Sequence, residues 1–510
     1  LVRMGEMTMK WWKPVVIGLS LSLTPGMLQP ALAGKKNPQP KAVKMPAWTE
    51  LAQQNPAAYD RAVPEASLSE EQLAAWWKTF QDPKLDALIE LSLKNNRDLQ
   101  AAQARVEEAR AQLGISKGEA LPWLNLGGTY GRYEAPQGVN DKISDMSPYR
   151  GLINPPNRNS SVAGLGIDAS WEPDFFSRLK AKKQSAAHNL AAQHAALYST
   201  WVTLSAETAL NYVSLRTLQQ DLDLLERHAA LEGEKADLLQ TNYNAGLISG
   251  YPLEAMRTQE QNTRAEIPRT RQSIQETLTR LSILTGTEPG QLNDLLDPED
   301  LPEIDPELYH AIPANLMRQR PDIRAAEERL EAQIARTKEA RAELKPRFTL
   351  DGFLGLITLG GGNLFGSGAH SFAIAPSFTF PLFHGGQLRQ NVKLQDARAK
   401  EYQAQYENTV LKAAGEVQDA MTGIVQEKER KEKLTAGVDN AQGAFDLAEN
   451  RFQAGLSDYQ PVLDSERTLL TMKRQENRSR GQELADLIHL YKALGGGWQP
   501  LSDGEQAEIS

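Results

Sequence analysis

Four short segments alternate apolar and polar residues with period two. In 162–171, Ala163, Leu165, Ile167, Ala169 and Trp171 share one face, with Gly164, Gly166, Asp168 and Ser170 on the other. In 347–358, Phe348, Leu350, Leu354 and Leu356 share a face. In 371–381, Phe372, Ile374, Phe378 and Phe380 oppose Ala373, Ala375, Ser377 and Thr379. The segment 123–133 is Gly-rich and alternates more weakly. Each pattern predicts a strand with one apolar face and one small or polar face. About ten residues is also the length of a transmembrane β-strand. Trp123, Tyr133, Trp171 and Phe380 lie near segment ends, where aromatic side chains gather at a membrane interface. The same alternation also suits two hairpins on a soluble core.

A second pattern has the helical period. From Ser177 to Tyr243 there are 67 residues with no Pro and only Gly233, which predicts roughly 100 Å of helix. Its counterpart runs from Gln387 to Phe452. Val410, Ala413, Val417, Ala420 and Ile424 step by three and four, and after Glu427 and Lys431 the phase resumes at Leu434, Val438, Ala441, Phe445, Ala448 and Phe452. In the first half, Trp201, Leu204, Thr208, Asn211, Leu215, Leu218, Leu222, Leu225, Ala229, Ala236, Leu239 and Tyr243 follow the phase more loosely. Alternating Ala with larger residues lets helices approach closely. The seam is narrow, so these helices are expected to leave their other faces to water.

Both long helices run into Ala-Gly-Leu, at Ala245-Gly246-Leu247 and Ala454-Gly455-Leu456. Glycine there supplies a left-handed helix stop, and Pro252 and Pro461 suit the first turn of a returning helix. Helical hairpins are therefore expected over 177–284 and 387–494. Shorter helices, 84–116 and 313–342, lead into the strand pairs.

The two halves repeat. Asp98-Leu-Gln-Ala-Ala recurs as Asp322-Ile-Arg-Ala-Ala, 224 positions on, and the same step carries Pro122 to Pro346 and Gly128 to Gly352. Tyr243-Asn-Ala-Gly-Leu recurs as Phe452-Gln-Ala-Gly-Leu, 209 positions on, and that step carries Leu179 to Leu388 and Gly286 to Gly495. A period this long is a duplication and not a short-repeat solenoid.

The 510 residues include 56 Lys and Arg against 65 Asp and Glu, a net charge of −9, and no Cys. That balance gives no basic surface for nucleic acid, and the missing Cys excludes disulfides, thiolate metal sites and Cys nucleophiles. No run of 18 apolar residues exists, which argues against a membrane-spanning helix. Lys10 and Lys13, the apolar run Val15–Leu23 and Ala31-Leu32-Ala33 read as a signal peptide, 1–33. Pro38, Pro40, Pro46, Pro56 and Pro64 make 34–70 an extended arm. The first repeat is then 71–286, followed by a connecting segment 287–312, the second repeat 313–498 and a tail 499–510. The seven His are scattered, and no nucleophile, P-loop or zinc motif is present. No enzyme, cofactor or metal site is expected. Glu107-Glu108 and Glu327-Glu328 read as helical surface charge. Four strands cannot close a barrel. Eight, from two chains, would fill with side chains, whereas twelve, from three chains, can leave a lumen.

The chain resembles the TolC-like outer-membrane factors, in particular the channels of resistance-nodulation-division efflux pumps. The matching stretches are Trp76-Trp77-Lys-Thr-Phe-Gln-Asp-Pro, Asn95-Asn96-Arg97-Asp98-Leu99, Arg320-Pro321-Asp322-Ile323, Gly385-Gly386-Gln387-Leu388-Arg389, Arg451-Phe-Gln-Ala-Gly-Leu and Tyr491-Lys-Ala-Leu-Gly-Gly-Gly-Trp498. The resemblance implies a membrane α+β fold. It would be a homotrimer whose 12-stranded outer-membrane β-barrel, four strands per chain, continues into a long periplasmic α-helical barrel. Residues 287–312 and both chain ends would form an equatorial belt. Many relatives carry a lipidated Cys at the mature N-terminus; without one, attachment to outer-membrane lipid would rest on the barrel.

The resemblance also places a periplasmic gate at Gln460-Pro461-Val462-Leu463-Asp464-Ser465-Glu466-Arg467. Asp464 and Arg467 match the acidic and basic gate positions and, three apart, could pair on one helix. Gln460 stands where an efflux relative has an apolar constriction residue. The first-half counterpart has Glu254 and Arg257 but Ala255 in place of Asp464. The tips at Gly246, Leu247, Gly455 and Leu456 would dock a periplasmic adaptor that links to an inner-membrane transporter. The function implied is a passive exit channel for drugs or other small toxic compounds. The alternatives are the exit duct of a type I protein secretion system and a soluble periplasmic coiled-coil scaffold.

Overall fold

The computed structural model describes residues 73–134, 159–293, 295–302, 320–359 and 362–498. The signal peptide, the extended arm, residues 303–319 and the tail lie outside the described residues.

A 3-10 turn, Trp76–Phe80, leads into α1 (Pro83–Asn95) and α2 (Arg97–Gly118). Strands β1 (Trp123–Glu134) and β2 (Asn159–Trp171) follow, then α3 (Arg178–Asn244) and α4 (Gly250–Thr285). The second half runs α5 (Pro321–Ala342), β3 (Arg347–Leu359), β4 (His370–Thr379), α6 (Gln387–Gln453) and α7 (Gln460–Ala493). Both long helices have 67 residues. Three boundaries differ from expectation. The helix expected over 313–342 is described only from Pro321, with Arg320 as its N-cap. The helix expected over 84–116 breaks at Asn96, whose side chain accepts from the Leu99 amide at 3.0 Å and donates to the Leu284 carbonyl at 2.9 Å. A capping Asn restarts the helix at a new angle. Strand β4 ends at Thr379, so Phe380 lies just beyond it.

The four strands form one antiparallel sheet in the order β1-β2-β3-β4. The expected hairpins are therefore joined through β2 and β3, with Ile167 opposite Leu354 and Ala169 opposite Gly352. Strands β1 and β4 are the sheet edges.

Helices α3 and α4 pack as one hairpin and α6 and α7 as another, and α3 also packs along α7. Helix α5 packs along both α3 and α6, whereas α2 packs along α3. The α6 seam is as the heptads predict: Val410, Ala413, Val417, Ala420 and Ile424 are buried. The charged interruptions are satisfied from α7. Glu427 accepts from Ser479 at 2.5 Å, and Lys431 meets Glu483 at 2.7 Å. Helix α3 departs from the narrow-seam expectation. Ala206, Ala209, Tyr212, Val213, Leu215 and Arg216 are all buried, because neighbours cover the helix on several sides at that level. Glu328 also departs from its reading as surface charge: it crosses from α5 to His188 of α3 at 2.8 Å.

The main core lies at mid-height of α3. Trp76, Phe80 and Leu88 meet Tyr212 and Leu215, together with Leu292, Leu296 and Leu301 of the connecting segment and Leu487, Ile488 and Tyr491 of α7. Trp76 stacks on Tyr491 with centroids 5.2 Å apart. The fully buried Arg216 donates to Gln219 at 2.8 Å and to the Asp297 carbonyl, and its guanidinium lies 4.8 Å over the Tyr212 ring.

Candidate functional site

In an antiparallel pair, directly opposed residues point to the same face. The register thus sorts the sheet. One face carries Leu124, Leu126 and Tyr130, then Leu165, Ile167 and Trp171, then Leu350 and Leu354, then Phe372, Ile374 and Phe378. These large side chains are uncovered: Leu126 is 75% exposed and Phe372 79%. The other face carries Asn125, Thr129, Asp168, Ser170, Asp351 and Ser377. Ser170 donates to Asp351 at 2.6 Å across it. Phe353 also lies on this face and covers Gly166, where an added Cβ would come within 2.6 Å of its ring.

The expected interface aromatics separate. Trp171 is on the apolar face, with its indole N–H donating to the Ala120 carbonyl at 3.2 Å. Trp123 opposes Ser170 and so stands on the polar face, against its reading as part of a membrane-facing belt. The backbone of Tyr133 pairs with Ser160. Phe380 is about half exposed beyond β4. Sequence reading missed a second aromatic group at the strand–helix junction. Phe175 packs edge-on against Phe348 at 5.3 Å, and Phe348 lies 6.1 Å from Phe378. The pair Pro173-Asp174-Phe175-Phe176 and Pro381-Leu382-Phe383 at equivalent junctions was the available signal. Leu382 and Phe383 are among the most exposed apolar residues.

At the far end of α3 and α6 both turns have the same form. The Leu247 amide donates to Asn242 O and the Gly246 amide to Tyr243 O, each at 2.9 Å; Leu456 and Gly455 repeat this with Arg451 O and Phe452 O. This double bond pattern needs a left-handed residue, supplied by Gly246 at φ +72° and Gly455 at φ +71°. Leu247 and Leu456 are left 73% and 72% exposed.

Gln460, Asp464 and Arg467 lie exposed on the first two turns of α7. The expected Asp464–Arg467 pair is not formed. Gln460 donates to Asp464 at 3.1 Å and accepts from the Tyr251 hydroxyl at 3.1 Å. Arg467 instead donates to Gln259 of α4 at 3.1 Å. In the first half, Arg257 does pair with Glu254, at 3.2 Å.

Further polar links join the two hairpins. Asp221 of α3, 3% exposed, accepts from Arg474 of α7 at 2.8 and 2.9 Å and from Arg478 at 3.3 Å. Lys235 meets Glu466 at 2.7 Å and lies 4.6 Å over the Phe445 ring. Sequence reading missed these partners, because they come from positions more than 200 residues apart. Among the described residues no group of three or more His, Asp or Glu could hold a metal ion, and no helix is long and apolar enough to cross a membrane.

Comparison with known proteins agrees with this geometry. The family described as outer membrane efflux protein matches residues 88–287 and 312–496. The pyoverdine export outer membrane protein OpmQ of Pseudomonas putida is 31% identical over 435 residues, covering 83% of this chain and 88% of that protein. The solved outer-membrane channel OprN superposes with a TM-score of 0.80 at 29% identity, covering 91% of this chain and 99% of that one. The outer membrane protein VceC of Vibrio cholerae gives 0.75 at 27%, covering 84% and 99%. With the family match spanning most of both halves and the fold shared with these channels, the chain belongs to the outer membrane efflux protein family.

Proposed function

We propose that the protein is a passive outer-membrane exit channel of an efflux pump, conducting small toxic compounds outward with no bond made or broken. The observation that carries this reading is the sheet. Its apolar face is uncovered along all four strands, and a face of that kind is stable against lipid. Its polar face, with Asn125, Asp168 and Asp351, then lines a wet lumen.

Three chains would complete the structure. The free edges of β1 and β4 suit pairing between copies, since an open edge in a membrane leaves backbone groups unsatisfied. The helices support the same assembly. Lys182 of α3 meets Glu119 at 2.5 Å, and the counterparts in the repeat, Asn391 and Glu343, meet at 3.3 Å. Helix α5 is flanked on both sides, yet its counterpart α2 leaves Ala101, Ala104, Ala111 and Ile115 exposed, and α6 leaves Leu394, Ala397, Ala404 and Leu411 exposed. A neighbouring copy that sets α2 against α6 would repeat the α5–α3 contact around a ring. The protein should require detergent for extraction, and its detergent complex should have the mass of three chains. Recovery in the periplasmic fraction without detergent would instead favour the scaffold reading.

In such a ring Asp464 becomes three carboxylates around the aperture, a cation-binding constriction, with Arg467 and the polar Gln460 beside it. Asp464→Ala with Arg467→Ala is expected to raise single-channel conductance in planar bilayers; unchanged conductance counts against this gate. The exposed tips at Gly246, Leu247, Gly455 and Leu456 suit a periplasmic adaptor protein linked to an inner-membrane transporter. A charged residue inserted at Gly246 or Gly455 should abolish efflux in cells while the trimer still assembles on gel filtration.

A further inference from the structure

Just behind the gate residues, α3, α4 and α7 enclose two carboxylates. Glu232 of α3 is fully buried and has no ion-pair partner; the Thr263 hydroxyl and the Gln259 amide are the polar groups that approach it. Glu466 of α7 is 3% exposed, with one oxygen on Lys235 and the other unpartnered. A buried ionised carboxylate without a cation is costly, and the ammonium at this level, Lys235, is taken by Glu466. Burial, with a smaller push from Glu466 and Glu260, outweighs the hydrogen bonds from Thr263 and Gln259 and holds the Glu232 carboxyl above the usual range.

The groups around Glu232 supply it no cation. From α3, Lys235 is engaged with Glu466, and burial holds His228 below the ordinary imidazole value. From α4, Glu260 is paired with Arg264 at 2.7 Å, and Gln259 and Thr263 are the uncharged polar groups beside Glu232. From α7, Tyr459 has its hydroxyl pushed up by burial and by Glu466, Glu449 and Glu232. Lys473 acts on His228 and donates to Gln442 at 3.4 Å. Gln259 is also the partner of Arg467, so the buried acid and the gate cation share a neighbour.

We propose that Glu232 is a positioning residue for the gate: protonated, it lets α3, α4 and α7 close around it and keeps Gln259 on Arg467; ionised, it drives the three helices apart. The proposal rests on the gate reading above. The closed arrangement holds the proton more tightly than an open, hydrated one. Raising the pH from the usual carboxylate range through the raised one therefore shifts the balance toward open, by up to about tenfold per pH unit for one proton.

The test is single-channel recording of the purified protein in planar bilayers between about pH 5 and pH 8. Open probability of the unaltered protein is expected to rise with pH, while Glu232→Gln, a neutral isostere, stays at the low-pH level throughout. Parallel profiles for the two would overturn the proposal. Lys235→Met removes the ammonium beside Glu466 and should move the rise to higher pH; an unmoved rise also counts against it. The gate variant Asp464→Ala with Arg467→Ala, recorded at one pH, separates the two ideas. If it has no effect while Glu232→Gln still abolishes the pH response, the proton role stands and the gate lies elsewhere. If it raises conductance while Glu232→Gln tracks the unaltered protein, the gate stands and the role of Glu232 falls.

Discussion

Trp76→Ala is expected to destabilise the folded chain by about 3–5 kcal/mol, the range for truncating a fully buried large aromatic. Trp76 is 0% exposed, stacked on Tyr491 and set edge-on to Trp77 and Phe80, each 5.9 Å away. It also joins the ends of the described chain. The Gly497 amide donates to the Leu73 carbonyl at 3.0 Å, and added Cβ atoms at Gly496 and Gly497 would lie 3.1 and 3.2 Å from the indole. Removing the ring leaves a cavity that the clamped backbone cannot close. Thermal unfolding followed by near-UV circular dichroism should show a markedly lower midpoint. Trp123→Ala, at a half-exposed position on the sheet, should leave it nearly unchanged. Equal shifts for the two would remove Trp76 from the core argument.

The second large effect is electrostatic. Asp221→Ala should cost about 3–5 kcal/mol, because it strands Arg474 between α3 and α7 without its carboxylate. The hydrogen bonds to Asp221 are the main reason the Arg474 guanidinium is held above its ordinary value. Glu266, 4.0 Å from Arg474, offers only partial compensation. An apolar exchange of both partners, Asp221→Leu with Arg474→Met, should cost less than Asp221→Ala alone, since no buried charge is left unpaired. Chemical denaturation of Asp221→Ala, of the double variant and of its two single parts, Asp221→Leu and Arg474→Met, checks the order. A double variant as unstable as the sum of its parts would mean the pair is not coupled.

Much of this architecture is legible in the sequence because its elements are long and locally determined. A 67-residue helix without Pro, ended by Ala-Gly-Leu, is fixed by periodicity and by one backbone conformation at Gly246 or Gly455. Period-two alternation located all four strands. What the chain pattern could not show are contacts made by single polar side chains across large separations. The Asp464–Arg467 pair was inferred from spacing, yet Gln259 from another helix takes Arg467. Trp123 was grouped with Trp171 by its place at a segment end, yet register puts them on opposite faces. The break at Asn96 was readable, since Asn followed by Arg-Asp-Leu is a capping pattern, but the helical run on both sides masked it.

The position of the main core along α3 has a mechanical consequence. Tyr212 is held at the core, and 32 residues separate it from Asn244 at the helix end. That is a lever arm of roughly 48 Å. A tilt of about 5° at the core, small enough for side chains to follow by slight sliding, carries the tip about 4 Å sideways. The core thus serves as a fulcrum, and the work of moving the far end falls on the contacts near it, the small apolar cluster of Leu239, Leu253, Met256, Tyr459, Val462 and Leu463 and the polar links beside it, rather than on the packing in the middle.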